Sequence, residues 1–315
     1  MTGAHPDRDA APVGVLVMAY GTPAGADAIE PYYTHIRRGR PPTPELLAEL
    51  RDRYLAIGGH SPLLEITRAQ LAALREALAR AGHPEMVVAL GCKHAAPFIE
   101  DGVAELAGAG VRRVVGIVLA PHYSGMSVGE YTERAVAAAG DLPLTVVRDW
   151  HLAAPYLTLL AREVRTAVDR LPAAARADAH VLFTAHSLPV RILADGDPYP
   201  DQLRETAAAV AQRAGLTRWG IAWQSAGRTA DPWIGPDVLD MLDELSAADA
   251  AAVVVCPAGF VSDHLEILYD LDVEARDRAQ ALGLPFARTA SPNDAPELAE
   301  AMAAAVLATL AEPRP

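Results

Sequence analysis

The sequence predicts an α/β protein of two similar halves, each with a four-stranded parallel sheet flanked by helices. Short apolar, β-branched runs alternate with longer helical stretches, which is the pattern of parallel strands joined by helices. The segments VLVMAYGTP (15–23) and VLFTAHSLP (181–189) align without gaps and share Val, Leu, Ala and Pro at the same places. Ligands in such folds bind outside the carboxyl ends of the strands. Tyr20 and His186 are therefore expected to face each other across a cleft between the halves.

The order of elements follows from the apolar runs and the turn signals between them. Eight strands are predicted at 13–19, 86–90, 113–119, 144–147, 180–185, 218–223, 251–256 and 284–288. Helices are predicted between them at 61–81, 97–109, 153–170, 198–214 and 262–282. Ser61 gives the first of these helices an N-cap, and Pro62 supplies its first helical position. A boundary near residue 149 assigns four strands to each half. A second pair of matching strands, one in each half, lies fewer residues apart along the chain than the first pair. The difference indicates an additional helical segment in the first half, at roughly 37–66.

The composition limits the classes of partner and the cellular compartment. Hydrophobic residues make up 51% of the chain and charged residues 21%, which is enough apolar material for a full core. A net charge of −13 argues against nucleic acid as a partner, because phosphate binding needs a basic face. Two cysteines, Cys92 and Cys256, cannot supply the four thiolates of a conventional iron–sulfur cluster. No apolar run approaches 18 residues, so we expect a cytoplasmic protein without stable membrane insertion.

His186 is the first candidate for chemistry, because it lies at the predicted mouth of a buried strand. No G-x-S-x-G turn is present to supply a serine nucleophile. Ser187 is poorly placed as its partner, since adjacent residues of an extended segment point to opposite sides. Three interpretations remain open from the residues alone: a proton acceptor, a metal ligand or a packed core histidine.

The segment FVSDHLEILYDLDVEARD (260–277) carries an unusual line of carboxylates. On a regular helix at about 100° per residue, its acidic side chains fall within one stripe of about 80°. The members of this stripe are Asp263, Glu266, Asp270, Glu274 and Asp277. Like charges at i,i+4 destabilise a helix, so the stripe indicates either a solvated face or a path for a cation into the cleft. Glu266 with His186 would form a mixed nitrogen and oxygen site suited to a first-row divalent metal.

Arginines cluster at one place in this acidic chain, in YYTHIRRGRPP. Arg37, Arg38 and Arg40 indicate either a solvated helix end or a clamp for carboxylate or phosphate groups, which guanidinium forks bind in pairs.

Taken together, the motifs resemble those of ferrochelatases, in order, over residues 13 to 310. They are MAYGTP, YYTHIRRGR, RYLAIGGHSPL, LGCKHAAPFIED, LAPHYSGMSVGEY, TAHSLP, WQSAGRTADPWIGPDV and GFVSDHLEILYDLDVEA. The greatest similarity is to the soluble enzymes of Gram-positive bacteria that insert iron into coproporphyrin III. The resemblance implies two Rossmann-like, chelatase-type domains, 13–149 and 150–292, with the porphyrin cleft between them. It also implies that a final helix at 293–311 packs back on the first domain.

The resemblance assigns roles on the metal side of the cleft. His186 in HSLP matches the family's essential histidine, and Glu266 in DHLE matches its metal-site glutamate. Asp270 and Glu274 match an acidic line toward the surface. Tyr20 in AYGTP matches the tyrosine that meets the iron of the product from the opposite face.

The porphyrin side is assigned in the same way. Positions that hold porphyrin propionates in the family correspond here to Arg37, Arg53, Tyr54, Ser61 and Tyr131. Arg38 is expected at the same rim, and His94 and Trp233 are expected to line the cleft or its vicinity.

The resemblance thus implies a lyase-type metal chelatase of haem biosynthesis that takes ferrous iron and a porphyrin as substrates and acts as a monomer. The cysteines that hold a two-iron, two-sulfur cluster in many actinobacterial relatives and the membrane-associating tail of protoporphyrin enzymes are both missing. Both absences favour coproporphyrin III as the porphyrin. The alternatives are a protoporphyrin IX ferrochelatase, a non-catalytic porphyrin or metal carrier, and a cobalt chelatase, which usually has a histidine pair at its metal site.

Overall fold

The structure is a computed structural model that describes residues 12–227, 229 and 231–312. Its strands are β1 (Val13–Ala19), β2 (Val87–Cys92), β3 (Arg113–Val118), β4 (Leu144–Val146), β5 (His180–His186), β6 (Trp219–Gln224), β7 (Val253–Cys256) and β8 (Phe286–Arg288). Its helices are α1 (Ile29–Ile36), α2 (Pro44–Ala56), α3 (Leu63–Arg80), α4 (Ile99–Gly108), α5 (Glu130–Ala139), α6 (Ala154–Arg170), α7 (Arg191–Ala194), α8 (Tyr199–Ala214), α9 (Val238–Ala247), α10 (Leu265–Tyr269), α11 (Arg276–Ala281) and α12 (Pro296–Ala311). The eight predicted strands are therefore confirmed.

The strands form two parallel sheets with the same internal order, β2-β1-β3-β4 and β6-β5-β7-β8. The central strands β1 and β5 are apolar on both faces and almost wholly buried, as expected for parallel strands covered by helices on both sides. In register, Ala19 lies beside Cys92 and His186 beside Gln224. Tyr20 and His186 thus lie at the carboxyl ends of corresponding strands, as the internal alignment predicts.

Two glycines allow close packing at these strand ends. Gly21 follows Tyr20 with φ +90°, and a Cβ there would lie 3.0 Å from the Cβ of Ala95. Gly259 follows β7, and a Cβ there would lie 2.5 Å from the Cβ of Ala185. Only glycine fits either position without moving its neighbours.

The additional segment of the first half consists of α1 and α2, which precede α3. Thr43 caps α2 by accepting a hydrogen bond from the Leu46 amide at 3.4 Å, and Pro44 begins the helix. The predicted serine cap of α3 is wrong, because the helix begins at Leu63 with Pro62 at its N-cap position and no side-chain cap; Ser61 Oγ accepts from the Leu63 amide at 3.3 Å in the turn before it. Local sequence signals thus place α2, the helix that carries Arg53 and Tyr54.

The predicted regular helix over 262–282 is wrong. The segment begins at Leu265, passes through a π-helical turn at Asp270–Ala275 and continues as α11. A π turn advances fewer degrees per residue than an α turn, so the acidic residues do not keep one stripe.

The last helix, α12, packs against α3, α6 and β3. The main core is continuous between the sheets, because it includes Val15 of β1, Phe183 of β5 and Met302 of α12. The domain boundaries at 149 and 292 stay a prediction. Within the described part of the chain, no helix is long and apolar enough to span a membrane.

Candidate active site

His186 is held at the end of β5 by backbone contacts on both sides. Its carbonyl accepts a hydrogen bond from the Tyr199 hydroxyl at 3.1 Å, and the next amide donates to the Gln224 carbonyl at 2.8 Å. Ser187 Oγ donates to the carbonyl of Ile234 at 2.7 Å. Ser187 is therefore a buried structural residue and not a partner of His186, as its place on the strand indicates.

The tautomer of His186 follows from its neighbours. Its Nδ1 lies against the Ser187 carbonyl, which can only accept a hydrogen bond, so Nδ1 carries a proton. Its Nε2 lies 3.6 Å from Oε1 of Glu266. When the imidazole is neutral, Nε2 therefore presents a lone pair toward the carboxylate and is free to accept a proton or a metal ion.

His264, which the sequence reasoning did not single out, has the same arrangement from the other side of Glu266. Its Nδ1 donates to the Ser262 carbonyl at 2.9 Å, and its Nε2 lies 3.4 Å from Oε2 of Glu266. One carboxylate is thus flanked by two imidazole Nε2 atoms. The sequence signal for His264 was present, because it lies two residues before Glu266 in DHLE.

The charge of Glu266 controls the protonation of both imidazoles. Burial favours the neutral form of His186, but the carboxylate and the Ser187 carbonyl together raise its pKa to about 9. The pKa of His264 is also raised, against burial, by its hydrogen bond to Glu266. The two histidines outweigh burial and hold the pKa of Glu266 below its usual range. At neutral pH, before substrates arrive, His186 and Glu266 therefore form an imidazolium–carboxylate pair.

Asp270 and Glu274 follow Glu266 along the chain, and Arg53 of α2 lies between their carboxylates. The Arg53 guanidinium is 3.8 Å from Oδ1 of Asp270 and 3.8 Å from Oε2 of Glu274. Its central carbon also lies 4.7 Å from the ring centre of Tyr269. Arg53, which the sequence assigned to a propionate, thus faces the acidic residues in this structure.

Asp270 is buried, and its environment disfavours its charge. Burial and the nearby Glu266 raise the pKa of Asp270 to about 7, although Ser225 donates a hydrogen bond to Oδ2 and Arg53 lies close. Its Oδ1 has no hydrogen-bond partner. A cation that reached Asp270 would therefore gain a carboxylate without displacing a hydrogen bond to that oxygen.

The two ends of the predicted acidic stripe lie elsewhere, which corrects that prediction. Asp263 precedes α10 and accepts hydrogen bonds from Ser291 at 2.7 Å and from Asn293 at 2.9 Å. Asp277, after the π turn, pairs with its neighbour Arg276 at 2.8 Å. Only Glu266, Asp270 and Glu274 form a line into the site.

Tyr20 lies on the side of the first sheet, with 43% of its surface exposed. Its ring centre is 4.6 Å from that of His94, and its pKa is raised by desolvation and then by the negative charge of Glu266. His94 Nδ1 in turn lies 3.0 Å from Nδ1 of His35. Burial, helped by the charge of Lys93, lowers the pKa of His94 to about 3, so it is neutral.

A cavity of about 850 Å³ opens beside His94 and α1. It is lined by Asp27, Glu30, Pro31, Thr34, His35, Arg38, Gly39 and His94. Trp233 lies at the other side of the site, with its ring centre 6.3 Å from that of His186. His94 and Trp233 are both near the site, as the sequence predicts.

Of the arginines after α1, Arg38 and Arg40 are exposed and Arg37 is half-buried, and all three are only loosely paired. The Arg37 side chain packs over Tyr33 at 5.7 Å, and Arg37 and Arg40 each donate to the other's carbonyl at 3.3 and 3.4 Å. Arg38 is 85% exposed at its side chain, and its guanidinium lies 3.7 Å from Glu130. These groups are therefore available to an incoming anion.

Three predicted porphyrin contacts are buried in this structure. Tyr54 packs with Ile29 and Leu265, and its hydroxyl lies 3.4 Å from Thr22 Oγ1. Tyr131 lies under Lys93, whose Nζ is 5.2 Å from the ring centre and pairs with Glu130. The third is Ser61, in the turn before α3, whose Oγ accepts from the Leu63 amide.

The structure thus brings His186, Glu266, Asp270, Glu274 and Arg53 into one cluster, with Tyr20 linked to it by the charge of Glu266. Arg37, Arg38 and Tyr131 contact other residues, namely Tyr33, Glu130 and Lys93 respectively. Among residues 12–227, 229 and 231–312, no group of three or more His, Cys, Asp or Glu side chains is already arranged to hold a metal ion. The metal and porphyrin contacts stay predictions.

Comparison with solved structures identifies the fold. The sirohydrochlorin chelatase SirB from Bacillus subtilis subspecies spizizenii, solved in complex with cobalt, matches with a TM-score of 0.60 at 10% identity, covering 95% of each chain. CbiX, the terminal enzyme for biosynthesis of siroheme in denitrifying bacteria, matches with a TM-score of 0.53 at 13% identity, covering 95% of this chain and 100% of that chain. The two parallel sheets are therefore those of the chelatase fold.

Sequence comparison is more specific. The coproporphyrin III ferrochelatase of Bacillus subtilis (strain 168) is 45% identical over 303 residues, covering 95% of this chain and 98% of that protein. The coproporphyrin III ferrochelatase of Geobacillus thermodenitrificans is 44% identical over 305 residues, covering 95% and 96%. The family model described as ferrochelatase matches residues 12–310. The chain, with its His186–Glu266 pair between two chelatase-type sheets, belongs to the ferrochelatase family.

Proposed function

We propose that the protein inserts ferrous iron into coproporphyrin III to form Fe-coproporphyrin III (coproheme) in haem biosynthesis. The observation that carries this proposal is the imidazole–carboxylate pair of His186 and Glu266 at a strand end, with Tyr20 at the corresponding end of the other sheet. The names of the relatives that are 44–45% identical over nearly the whole chain support the same porphyrin.

The geometry supports a sequence of proton and metal transfers on the His186 side. A ferrous ion that follows Glu274, Asp270 and Glu266 neutralises the charge that keeps the proton on His186. The pKa of His186 then falls, the imidazole releases its proton, and Nε2 gains a free lone pair. Metal insertion removes two protons from the pyrrole nitrogens; the neutral imidazole accepts the first, passes it to solvent and then accepts the second. Tyr20 contacts the metal from the opposite face of the ring.

Arginines and hydroxyls on the first half orient the porphyrin. In this proposal the propionates lie against Arg37, Arg38 and Arg53, and they also contact the residues Tyr54, Ser61 and Tyr131. Exposed guanidinium groups suit a substrate with four carboxylate arms. The ring is held between the two halves, and binding energy from the propionates distorts it and exposes its nitrogen lone pairs.

We further propose that the protein acts in the cytoplasm as a monomer, without an iron–sulfur cluster. Cys92 and Cys256 support the last point, because they are buried at the ends of strands of different sheets.

The test is anaerobic insertion of Fe²⁺, followed by porphyrin absorbance, with coproporphyrin III and with protoporphyrin IX. The wild type should have the higher kcat/KM for coproporphyrin III, and His186→Ala should reduce insertion by at least about 100-fold. His83→Ala is the matched control, since His83 lies beyond the end of α3 and its imidazole pairs with Glu85 at 3.4 Å. A higher kcat/KM for protoporphyrin IX would contradict the proposed substrate, and full activity of His186→Ala would contradict the proposed site.

A further inference from the structure

Gln70, in the middle of α3, makes a buried polar contact between the two halves of the chain. Only 1% of its surface is exposed. Its Nε2 lies 3.0 Å from the carbonyl of Val261, 2.9 Å from Oγ of Ser262 and 2.9 Å from the carbonyl of Asn293. Gln70 comes from a helix of the first half, and all three partners follow strands of the second sheet.

The orientation of the Gln70 amide is fixed by these partners. Two of them are carbonyls, which only accept hydrogen bonds, so the nitrogen must face them. The oxygen, Oε1, is then left buried with no hydrogen-bond partner. A buried polar atom without a partner costs free energy, so a side chain that carries one requires an explanation other than stability.

The explanation lies in the segment that Gln70 holds. Ser262 Oγ lies 2.9 Å from the Gln70 nitrogen and shares its two N–H groups with the carbonyls of Val261 and Asn293, and the Ser262 carbonyl accepts the Nδ1–H of His264 at 2.9 Å. Nε2 of His264 then lies 3.4 Å from Glu266. Gln70 therefore contacts the residue whose carbonyl orients His264 beside Glu266.

A second set of bonds makes the held segment rigid. Asn293 has a left-handed backbone, with φ +46°, and its backbone N–H donates to the Val261 carbonyl at 2.9 Å. Its side chain both accepts from the Asp263 amide at 2.8 Å and donates to the Asp263 carboxylate at 2.9 Å. Gln70 therefore holds two loop segments together, the one at Val261 and Ser262 and the one at Asn293, immediately before His264.

We propose that Gln70 is a positioning residue for metal delivery, because it ties the Ser262–His264 segment to α3 and so sets where His264 and Glu266 stand relative to the first half. This inference rests on the proposed function. Gln70 does not touch the metal in this proposal. It acts on the metal site through Ser262 and His264. Residues that orient the groups around a metal typically change metal affinity or activity by about 10–100-fold when they are replaced.

The test uses Gln70→Met in the full-length protein, because methionine keeps the length and helix preference of glutamine and removes both N–H donors. The expected result is a fall in kcat for iron insertion of about tenfold or more, with the KM for coproporphyrin III unchanged within about twofold. Binding of Co²⁺ alone, followed by its visible absorption, should weaken by about tenfold. A purely structural residue would lower stability without changing the Co²⁺ spectrum of the folded protein.

Thr67→Val is the matched control. Thr67 lies one turn earlier on α3, is also 1% exposed and donates only to the Leu63 carbonyl of its own helix, at 2.7 Å. Its replacement should leave kcat and Co²⁺ affinity unchanged. If Gln70→Met unfolds, Ser262→Ala removes one acceptor of the same amide and should weaken Co²⁺ binding in the same direction.

The two proposals fail separately. Wild-type kcat and Co²⁺ affinity in Gln70→Met, or in Ser262→Ala where that variant is used, would overturn the role of Gln70 while the wild type still inserts iron. If the wild type inserted no iron but Gln70→Met still weakened Co²⁺ binding relative to Thr67→Val, the positioning role would stand and the proposed reaction would be wrong.

Discussion

Nε2 of His186 lies 3.6 Å from Oε1 of Glu266, while the Ser187 carbonyl holds the other ring nitrogen of His186 in its protonated form. The Ser187 contact leaves Nε2 as the nitrogen that can act. The Glu266 carboxylate keeps a proton on Nε2, because it raises the pKa of His186 to about 9. The free protein therefore has a charged pair where the reaction needs a neutral base. A cation at Glu266 removes this obstacle, which couples metal arrival to base formation.

Glu266→Gln should lower the pKa of His186 from about 9 to its ordinary value of about 6.5 or below, because burial remains when the carboxylate is gone. NMR titration of the imidazole measures this directly. The raised pKa of His186 stabilises the folded state fully below pH 6.5, and this stabilisation is lost as the pH rises through about 9. The free energy of unfolding of Glu266→Gln should lack that component.

Glu205→Gln is the control for this titration, since Glu205 pairs with a different histidine, His151, at 2.9 Å. It should leave the pKa of His186 unchanged. A pKa near 9 that persists in Glu266→Gln would show that another group charges the imidazole.

Asp270→Asn should stabilise the protein at neutral and alkaline pH. The folded-state pKa of Asp270 is about 7, above its ordinary value of 3.8, so the unfolded chain releases this proton first as the pH rises. Stability is thereby lost between about pH 4 and pH 7, and the loss is complete above pH 7. Removing the charge should add about 1–3 kcal/mol to the free energy of unfolding at pH 8 and almost nothing at pH 4.

Urea unfolding of both proteins at several pH values provides the measurement. Asp272→Asn is a useful comparison, because Asp272 is ion-paired with Arg288 at 2.7 Å. Removal of this ion pair should lower the free energy of unfolding. A gain in stability for Asp270→Asn that is the same at pH 4 and pH 8 would contradict the assigned ionisation.

Much of the fold was predictable because its signals are local. The eight apolar runs gave the strands, and α2 begins at Pro44 after the capping residue Thr43, where such residues begin helices elsewhere. His186 was predictable from its place at a strand end. The π turn at 270–275 was not, because nothing in a periodic acidic pattern distinguishes one extra residue in a turn. The pairing of Arg53 with Asp270, and of Gln70 with Ser262, joins residues far apart in sequence.

Arg53→Gln should strengthen cation binding by the porphyrin-free protein. The Arg53 guanidinium lies 3.8 Å from both Asp270 and Glu274, so it competes with a cation for these carboxylates. Its loss should tighten Mn²⁺ binding by about fivefold, equivalent to about 1 kcal/mol, and raise the KM for coproporphyrin III. The free Mn²⁺ signal in electron paramagnetic resonance gives the affinity without turnover.

The matched variant is Arg38→Gln. The guanidinium of Arg38 is exposed and lies near Glu130, away from the Asp270 and Glu274 carboxylates. It should raise the KM for coproporphyrin III and leave the Mn²⁺ affinity unchanged. Weaker Mn²⁺ binding in Arg53→Gln would mean that Arg53 organises the carboxylates and does not compete for them.

His264→Asn should separate the two contacts of His264. The asparagine amide reaches the position of Nδ1 and can still donate to the Ser262 carbonyl, but nothing replaces Nε2 beside Glu266. We expect kcat for iron insertion to fall by about 10–100-fold while the protein stays folded. His264→Gln places an N–H donor near the position of Nε2 and should lose less activity. Equal activity of His264→Asn and the wild type would limit His264 to a structural role, because the bond to Ser262 would then be all that the histidine supplies.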